Sequence, residues 1–353
     1  YLSHHSQIVN RISSIIHDVD KDGTAQVTAN YMTTEDSVSN FSKTALSWGT
    51  ENTSNFKRKS DGELIISDSL FMPTVRNVPL FPKYEVGIGE TWTAKGKEVH
   101  DMRSYFNMTE PLIIPFEAKY KYVGNTNINN KNLCVIDVDY EFFFQNTKDK
   151  IAKGSLFLAT AGYSKQRLYW DKENGILDHY TEEFRIKMSD VYNNLVEFRG
   201  VSKAEITQAK FSNSKKNVEK LQKTVENLKL KDVNIKEGSK GLTISIENIQ
   251  FEPDSAVLLD SEKIKLDLIA TLLQDFSNDI LITGHCAERG SESARQVLSE
   301  QRAESVASYL KQLGVRDAYH IFSQGKGSTE PIASNATEEG RQKNRRVEII
   351  VLN

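Results

Sequence analysis

The sequence predicts a multi-domain chain: a β-rich N-terminal region, antiparallel and sandwich- or barrel-like, then a C-terminal α/β domain with a mixed sheet and helices on one side. Three observations carry this. At 353 residues the chain is too long for one ordinary core, so two or three domains are expected. Up to about residue 207, apolar residues recur at period 2 in segment after segment, as half-buried strands require. From Gly241 onward, short apolar strands alternate with helical patterns, the signature of a mixed α/β layer.

The strands follow in order. Ile8, Ile12 and Ile16 share one parity, the run Asp18 to Gly23 supplies a turn, and Ala25, Val27, Ala29 and Tyr31 alternate with polar residues. This is a hairpin pattern. The turn has Asp at positions 1, 3 and 5 of a calcium loop and Gly at 6, but Ala29 stands where a bidentate Glu is needed. It reads as a plain turn, not a metal site. Three prolines between Pro73 and Pro82 keep that segment out of a central strand and mark a surface connection or boundary. Phe116, Ala118, Tyr120 and Tyr122 form one inward face, and Cys134 to Phe144 on even positions forms another. Phe184, Ile186 and Met188 form a third. The expected layout is 1–72 as a small β domain or part of one β region, and 73–207 as an antiparallel domain. Residues 208–238 follow as an amphipathic helical connector and 239–353 as the α/β domain. The connector rests on Val218, Leu221, Val225 and Leu228 at 3-4-3 spacing.

Composition narrows the function classes. The chain is 38% hydrophobic and 26% charged, with a net charge of -3, which gives no general reason to expect nucleic acid. No apolar run approaches the roughly 20 residues that span a bilayer. Cys134 and Cys286 are the two cysteines, too few for a disulfide scaffold. No catalytic constellation, cofactor motif or metal-ligand spacing is present, and no paired carboxylates are credibly placed. The expectation is a non-enzymatic protein.

In the C-terminal region Leu242, Ile244 and Ile246 alternate into a strand, and Phe251-Glu252-Pro253-Asp254-Ser255 forms a loop. A helix is expected with Ile264, Leu268 and Leu272 inward, then a buried strand at Ile280 to Thr283. The next helix carries Leu298, Val306, Leu310 and Leu313 on one face and stops at Gly314. Strands around Tyr319 to Ser323 and Val347 to Leu352 complete the sheet.

Residues 240–353 resemble the OmpA-like C-terminal domain. The resemblance rests on Phe251 with its Pro-Asp-Ser loop, Gly284-His285, Leu298-Ser299-x-x-Arg302-Ala303, Gly314-Val315, Gly325-x-Gly327 with Pro331, and Gly340-Arg341-x-x-Asn344-Arg345-Arg346-Val347. It implies a cell-envelope protein, periplasmic or outer-membrane associated, with any signal or lipoprotein segment outside this chain. It also implies peptidoglycan as partner, bound through the diaminopimelate residue of the stem peptide. That side chain is zwitterionic and needs a carboxylate for its ammonium and a guanidinium for its carboxylate. The candidates carried by the resemblance are Phe251, Asp254, Ser255, His285, Ala287, Glu288, Arg295, Arg302, Asn344 and Arg346.

Two positions depart from the family pattern. The guanidinium matches Arg302, but the Asp expected 15 residues earlier is Ala287. The Asn expected eight residues after that Asp is Arg295. Three readings follow: a site retuned to another stem peptide or a carboxylate ligand around Arg302, an anion supplied by Glu288 or Glu292, or a scaffold without wall binding. For residues 1–207 the sequence leaves partners open, either envelope proteins or a lipid under the aromatic strands.

Overall fold

The structure, a computed structural model, describes residues 5–37, 46–106, 108, 110–152, 154–206, 215–252 and 255–353. The N-terminal part is β1 (Ser6–Val19), β2 (Ala25–Ser37), β3 (Leu46–Ser47), β4 (Thr50–Arg58), β5 (Leu64–Ile65), β6 (Val75–Arg76) and β7 (Thr91–His100). There follow α1 (Arg103–Phe106), β8 (Leu112–Ile128), β9 (Lys131–Gln145), α2 (Lys148–Ala152), β10 (Phe157–Asp171), β11 (Ile176–Asp190) and β12 (Leu195–Glu205). The remainder is α3 (Lys215–Asn227), β13 (Val233–Glu237), β14 (Gly241–Glu247), α4 (Asp260–Leu273), β15 (Ile280–Gly284), α5 (Glu292–Gln312), β16 (Ile321–Gly325), α6 (Glu338–Asn344) and β17 (Arg346–Leu352).

Two compact units result. One is Ile12–Tyr31 with Glu51–Thr207; the other is Tyr1–Arg11 and Met32–Thr50 with Gln208–Asn353. The segment 1–72 therefore divides between both units.

In the first unit, β6 to β12 form a seven-stranded antiparallel sheet in which sequence neighbours pair, ordered β12-β11-β10-β9-β8-β7-β6. The alternation seen in sequence is what buries its inner face: Tyr120, Val138, Tyr140, Phe142 and Met188 are all buried. Aromatic rings fill the interior, with Phe116 stacked on Tyr140 at 3.8 Å and Trp92 on Tyr120 at 5.0 Å. The proline segment supplies only the two-residue strand β6, at the sheet's edge, where a missing N–H is tolerated. Ile8, Ile12 and Ile16, which share a parity in β1, are 56%, 60% and 62% exposed.

The second unit holds a six-stranded sheet ordered β13-β14-β17-β15-β16-β3. Helices α3, α4 and α5 cover one face through Leu221, Val225, Leu266, Ile269, Ala303, Val306 and Leu310. Two inward assignments are corrected here. Ile264 is 64% exposed and Leu313 38% exposed; α4 instead presents Leu266, Ile269, Ala270 and Leu273 inward. In α4 a strict four-residue spacing drifts off a 3.6-residue stripe, and Leu313 is the C-cap residue beyond the last turn of α5. The connector helix also ends sooner than its pattern suggests. Lys229 and Asp232 adopt positive φ, the helix breaks, and Val233 and Ile235 become buried positions of β13.

The opposite face of this sheet is covered from far upstream. Leu281, Phe322, Ile350 and Leu352 pack with Met32, Val9, Leu46 and Trp48. Strand β3 pairs in parallel with β16, Leu46 opposite Phe322, and Trp48 meets the Phe322 ring edge-on at 5.4 Å. Arg11 clasps the sheet's end, donating to Asp279 Oδ2 at 2.8 Å and to the Asn353 carbonyl at 2.8 Å.

Candidate functional site

Strand β15 is buried at every position and pairs with β16 on one side and β17 on the other. It ends at Gly284 because α5 lies directly against it: a Cβ there would stand 2.2 Å from the Ser299 carbonyl oxygen. Gly325, its partner on β16, is equally constrained, with Glu300 Cγ at 2.4 Å. This close approach lets Ser299 join helix to loops. Its hydroxyl accepts from Gly327 N–H at 2.8 Å and donates to the Gln296 carbonyl at 2.8 Å. The chain leaves β15 through His285-Cys286-Ala287, stitched to the neighbouring loop by Cys286 N–H donating to the Gly327 carbonyl at 2.7 Å. Gly290 turns at φ +82°, and Ser291 caps α5 by accepting from Ala294 N–H.

Helix α5 then presents Arg295 and Arg302. The Arg302 guanidinium lies 4.8 Å from the Phe251 ring centroid, a cation–π contact. Phe251 is fixed by a β-bridge to Leu258. Arg295 Nη1 donates to the Gly290 carbonyl at 2.5 Å, and its Nε is buried with no hydrogen bond among the described residues. Cys286 Sγ contacts the Arg295 carbonyl at 3.6 Å. Burial pushes its thiol up while the charges of Arg302 and Arg295 pull it down, so both guanidiniums act on this sulfur. Ala287 is buried and contributes a methyl group. Glu288 and Glu292 are exposed and form no ion pair among the described residues. Ser255 accepts from Val257 N–H at 2.9 Å and shapes its own loop. Asp254 lies outside the described residues.

The remaining candidates serve internal bonds. Asn344 is 1% exposed; its side chain accepts from Ile332 and Ala333 N–H and donates to the Ala333 carbonyl and Asn335 Oδ1. Arg346 is buried, with Nε donating to Glu348 Oε1 at 3.0 Å. His285 lies on the same side, Nε2 3.2 Å from Thr283 Oγ1 and 3.9 Å from Glu348 Oε2. Burial and the Arg346 charge push its pKa down to about 4, so the ring is neutral at pH 7. The structure thus links Phe251 to Arg302 and Cys286 to Arg295 and Arg302, with Ala287 next to Cys286 in the chain, while His285, Arg346 and Asn344 serve internal bonds. Cys286 and Asn335 were not among the candidates. Asn335 receives both Glu288 N–H and Asn344 Nδ2, and no local pattern in the sequence marks it.

Comparison with known proteins bears on this module. The model of the OmpA family matches residues 250–345. The outer-membrane lipoprotein YfiB of Pseudomonas aeruginosa is 35% identical over 121 residues, covering 32% of this chain and 71% of that protein. The chain belongs to the OmpA family. Within this OmpA-family chain, a 104-residue stretch is 45% identical to the peptidoglycan-binding protein ArfA of Mycobacterium tuberculosis. That match covers 29% of this chain and 32% of ArfA's own length. Among solved structures, the cell wall anchor of the T6SS from Pseudomonas aeruginosa is 31% identical, with a TM-score of 0.34, covering 37% of this chain and 94% of that one. No helix among the described residues is long and apolar enough to cross a membrane.

Proposed function

We propose that this is a non-enzymatic protein of the bacterial cell envelope whose OmpA-like domain associates with peptidoglycan through a carboxylate of the stem peptide. The relatives supply the class of partner. The departure in chemistry comes from the loop: Arg302 is braced on Phe251, while Ala287 offers a methyl and Arg295 a second guanidinium at the same sulfur. A guanidinium presented this way suits a carboxylate. The ammonium of diaminopimelate meets a methyl at 287, and forfeiting one charged contact of a desolvated pair costs about 2–5 kcal/mol, more than tenfold in affinity. Recognition therefore shifts from a zwitterionic side chain toward a simple carboxylate.

Sedimentation with purified sacculi tests this reading. The full chain co-sediments, Arg302→Ala reduces binding at least tenfold, and free diaminopimelate competes no better than a stem-peptide fragment bearing only carboxylates. A chain that stays in the supernatant with sacculi of every diamino-acid type would contradict it.

A further inference from the structure

The seven-stranded sheet sorts its charges by face. Even positions of β10 and β11 point inward, as the burial of Thr160, Ser164, Leu168 and Met188 shows, and the register carries this parity from β10 through β11 to β12. All six lysines and arginines of these strands, Lys165, Arg167, Arg185, Lys187, Arg199 and Lys203, fall on odd positions. Inward along β11 come Tyr180, Glu182, Phe184, Ile186 and Met188, so a carboxylate stands on a face that receives no basic residue from these three strands.

Neutral donors alone hold that carboxylate. Glu182 Oε1 accepts from Ser164 Oγ at 2.6 Å and from Gln166 Nε2 at 3.2 Å, and Oε2 accepts from Ser202 Oγ at 2.9 Å. Arg185 and Lys187 of the same strand pair outward with Glu197, and Glu182 forms no ion pair among the described residues. A carboxylate has about four acceptor sites. Oε2 therefore keeps one open, and the negative charge stays without a counter-ion. Burial pushes the Tyr180 hydroxyl up and the Glu182 charge adds to it, which sets this charge beside an aromatic ring.

An apolar strip adjoins it. The Phe184 ring lies across Gly200, where a Cβ would stand 3.2 Å from the ring, and Ile186 opposes Phe198 in the next inward row. Phe184, Ile186 and Phe198 are half-buried, whereas Tyr140 and Phe142 of β9, on the same face, are buried. An uncompensated charge with an open acceptor site favours a cation. Flanking rings add cation–π attraction, and the half-buried strip favours an apolar body on that cation.

We infer that the inner face of β10 to β12 is a binding site for a long-chain alkylammonium, with the ammonium on Glu182 and the chain along Phe184, Ile186 and Phe198. The site lies wholly within the unit Ile12–Tyr31 with Glu51–Thr207 and is independent of the peptidoglycan reading.

The test titrates the full chain by calorimetry with three probes, each below its micelle concentration. Decylammonium is expected to bind at least tenfold more tightly than decyl sulfate, which has the same chain and the opposite charge. Ethylammonium, which lacks the chain, should also be at least tenfold weaker than decylammonium. Glu182→Gln keeps the shape and removes the charge, and should lower decylammonium affinity at least tenfold without weakening decyl sulfate. Phe184→Ala should lower it at least fivefold, with circular dichroism confirming that both variants fold. A wild-type chain that ignores decylammonium, or binds decyl sulfate as tightly, overturns the site without reference to any variant. Unchanged decylammonium affinity in folded Glu182→Gln overturns it as well.

Discussion

Ala303, next to Arg302, and Val347, next to Arg346, both meet the strand end at Gly284, yet the two arginines have different surroundings. Arg346 is 3% exposed, held by Glu348, and linked through His285 N–H to its own carbonyl at 2.9 Å. Lys236 reaches the same carboxylate at 3.1 Å. Arg302 is half-buried on α5 and lies on the Phe251 ring, and its charge and that of Arg295 both act on Cys286. A guanidinium neutralised by a buried carboxylate holds the fold together, and the one on the ring is the group proposed above as the ligand anchor. The difference lies in the neighbours.

Arg346→Ala leaves Glu348 buried with only an exposed lysine, and the expected cost is about 3–5 kcal/mol of stability, read as a lowered denaturant midpoint. A loss under 1 kcal/mol would place Arg346 outside the structural set.

Acid should act on the same network. His285 has a folded-state pKa of about 4 against 6.5 when unfolded, so the unfolded chain gains the proton first. Stability is then intact above about pH 6.5 and falls progressively toward pH 4, by about 3 kcal/mol in total at 1.36 kcal/mol per unit. Burial pushes Glu348 up, but Arg346 and His285 pull it to a net lowering, so its contribution is lost in the same direction below about pH 4.5. His285→Gln should flatten the decline between pH 6.5 and 4; an unchanged slope would exclude His285 as its source.

The upstream cover of the sheet offers a smaller effect. Trp48→Ala removes the ring that meets Phe322. Because Trp48 is half-exposed, about 2 kcal/mol is expected, below the 3–5 typical of a fully buried aromatic. The loss should appear in the unit containing β15 to β17, by hydrogen exchange at Phe322 and Leu281. Arg302→Ala is the smallest in stability, under about 1 kcal/mol, and the largest in wall binding, at least tenfold.

What the sequence disclosed follows the range of the forces involved. Strand β15, helix α5 and the stop at Gly314, whose φ is +72°, are fixed by periodicity and local backbone preference, and all were legible. Strand β3 was not, since two residues carry no period and its pairing with β16 spans more than 270 positions. Arg76 also gave no signal: it is fully buried among the carbonyls of Pro73, Ser67 and Leu70, partners set by loop folding alone. His285, a binding candidate by resemblance, is buried at 3% exposure, which no local pattern in the sequence shows. Helix α3 was overextended into β13 because apolar residues two apart and three to four apart overlap where Val233 and Ile235 follow Leu228.

In the proposed site, Ala287 and Arg295 take away the ammonium half of a zwitterion grip while Arg302 keeps the carboxylate half. Calorimetric titration of a diaminopimelate-containing stem peptide into the wild-type chain and into Ala287→Asp/Arg295→Asn tests it most directly. At least a tenfold gain in affinity is expected for the double variant, corresponding to about 1.4 kcal/mol or more. Equal or weaker binding, with the fold intact by circular dichroism, would contradict it.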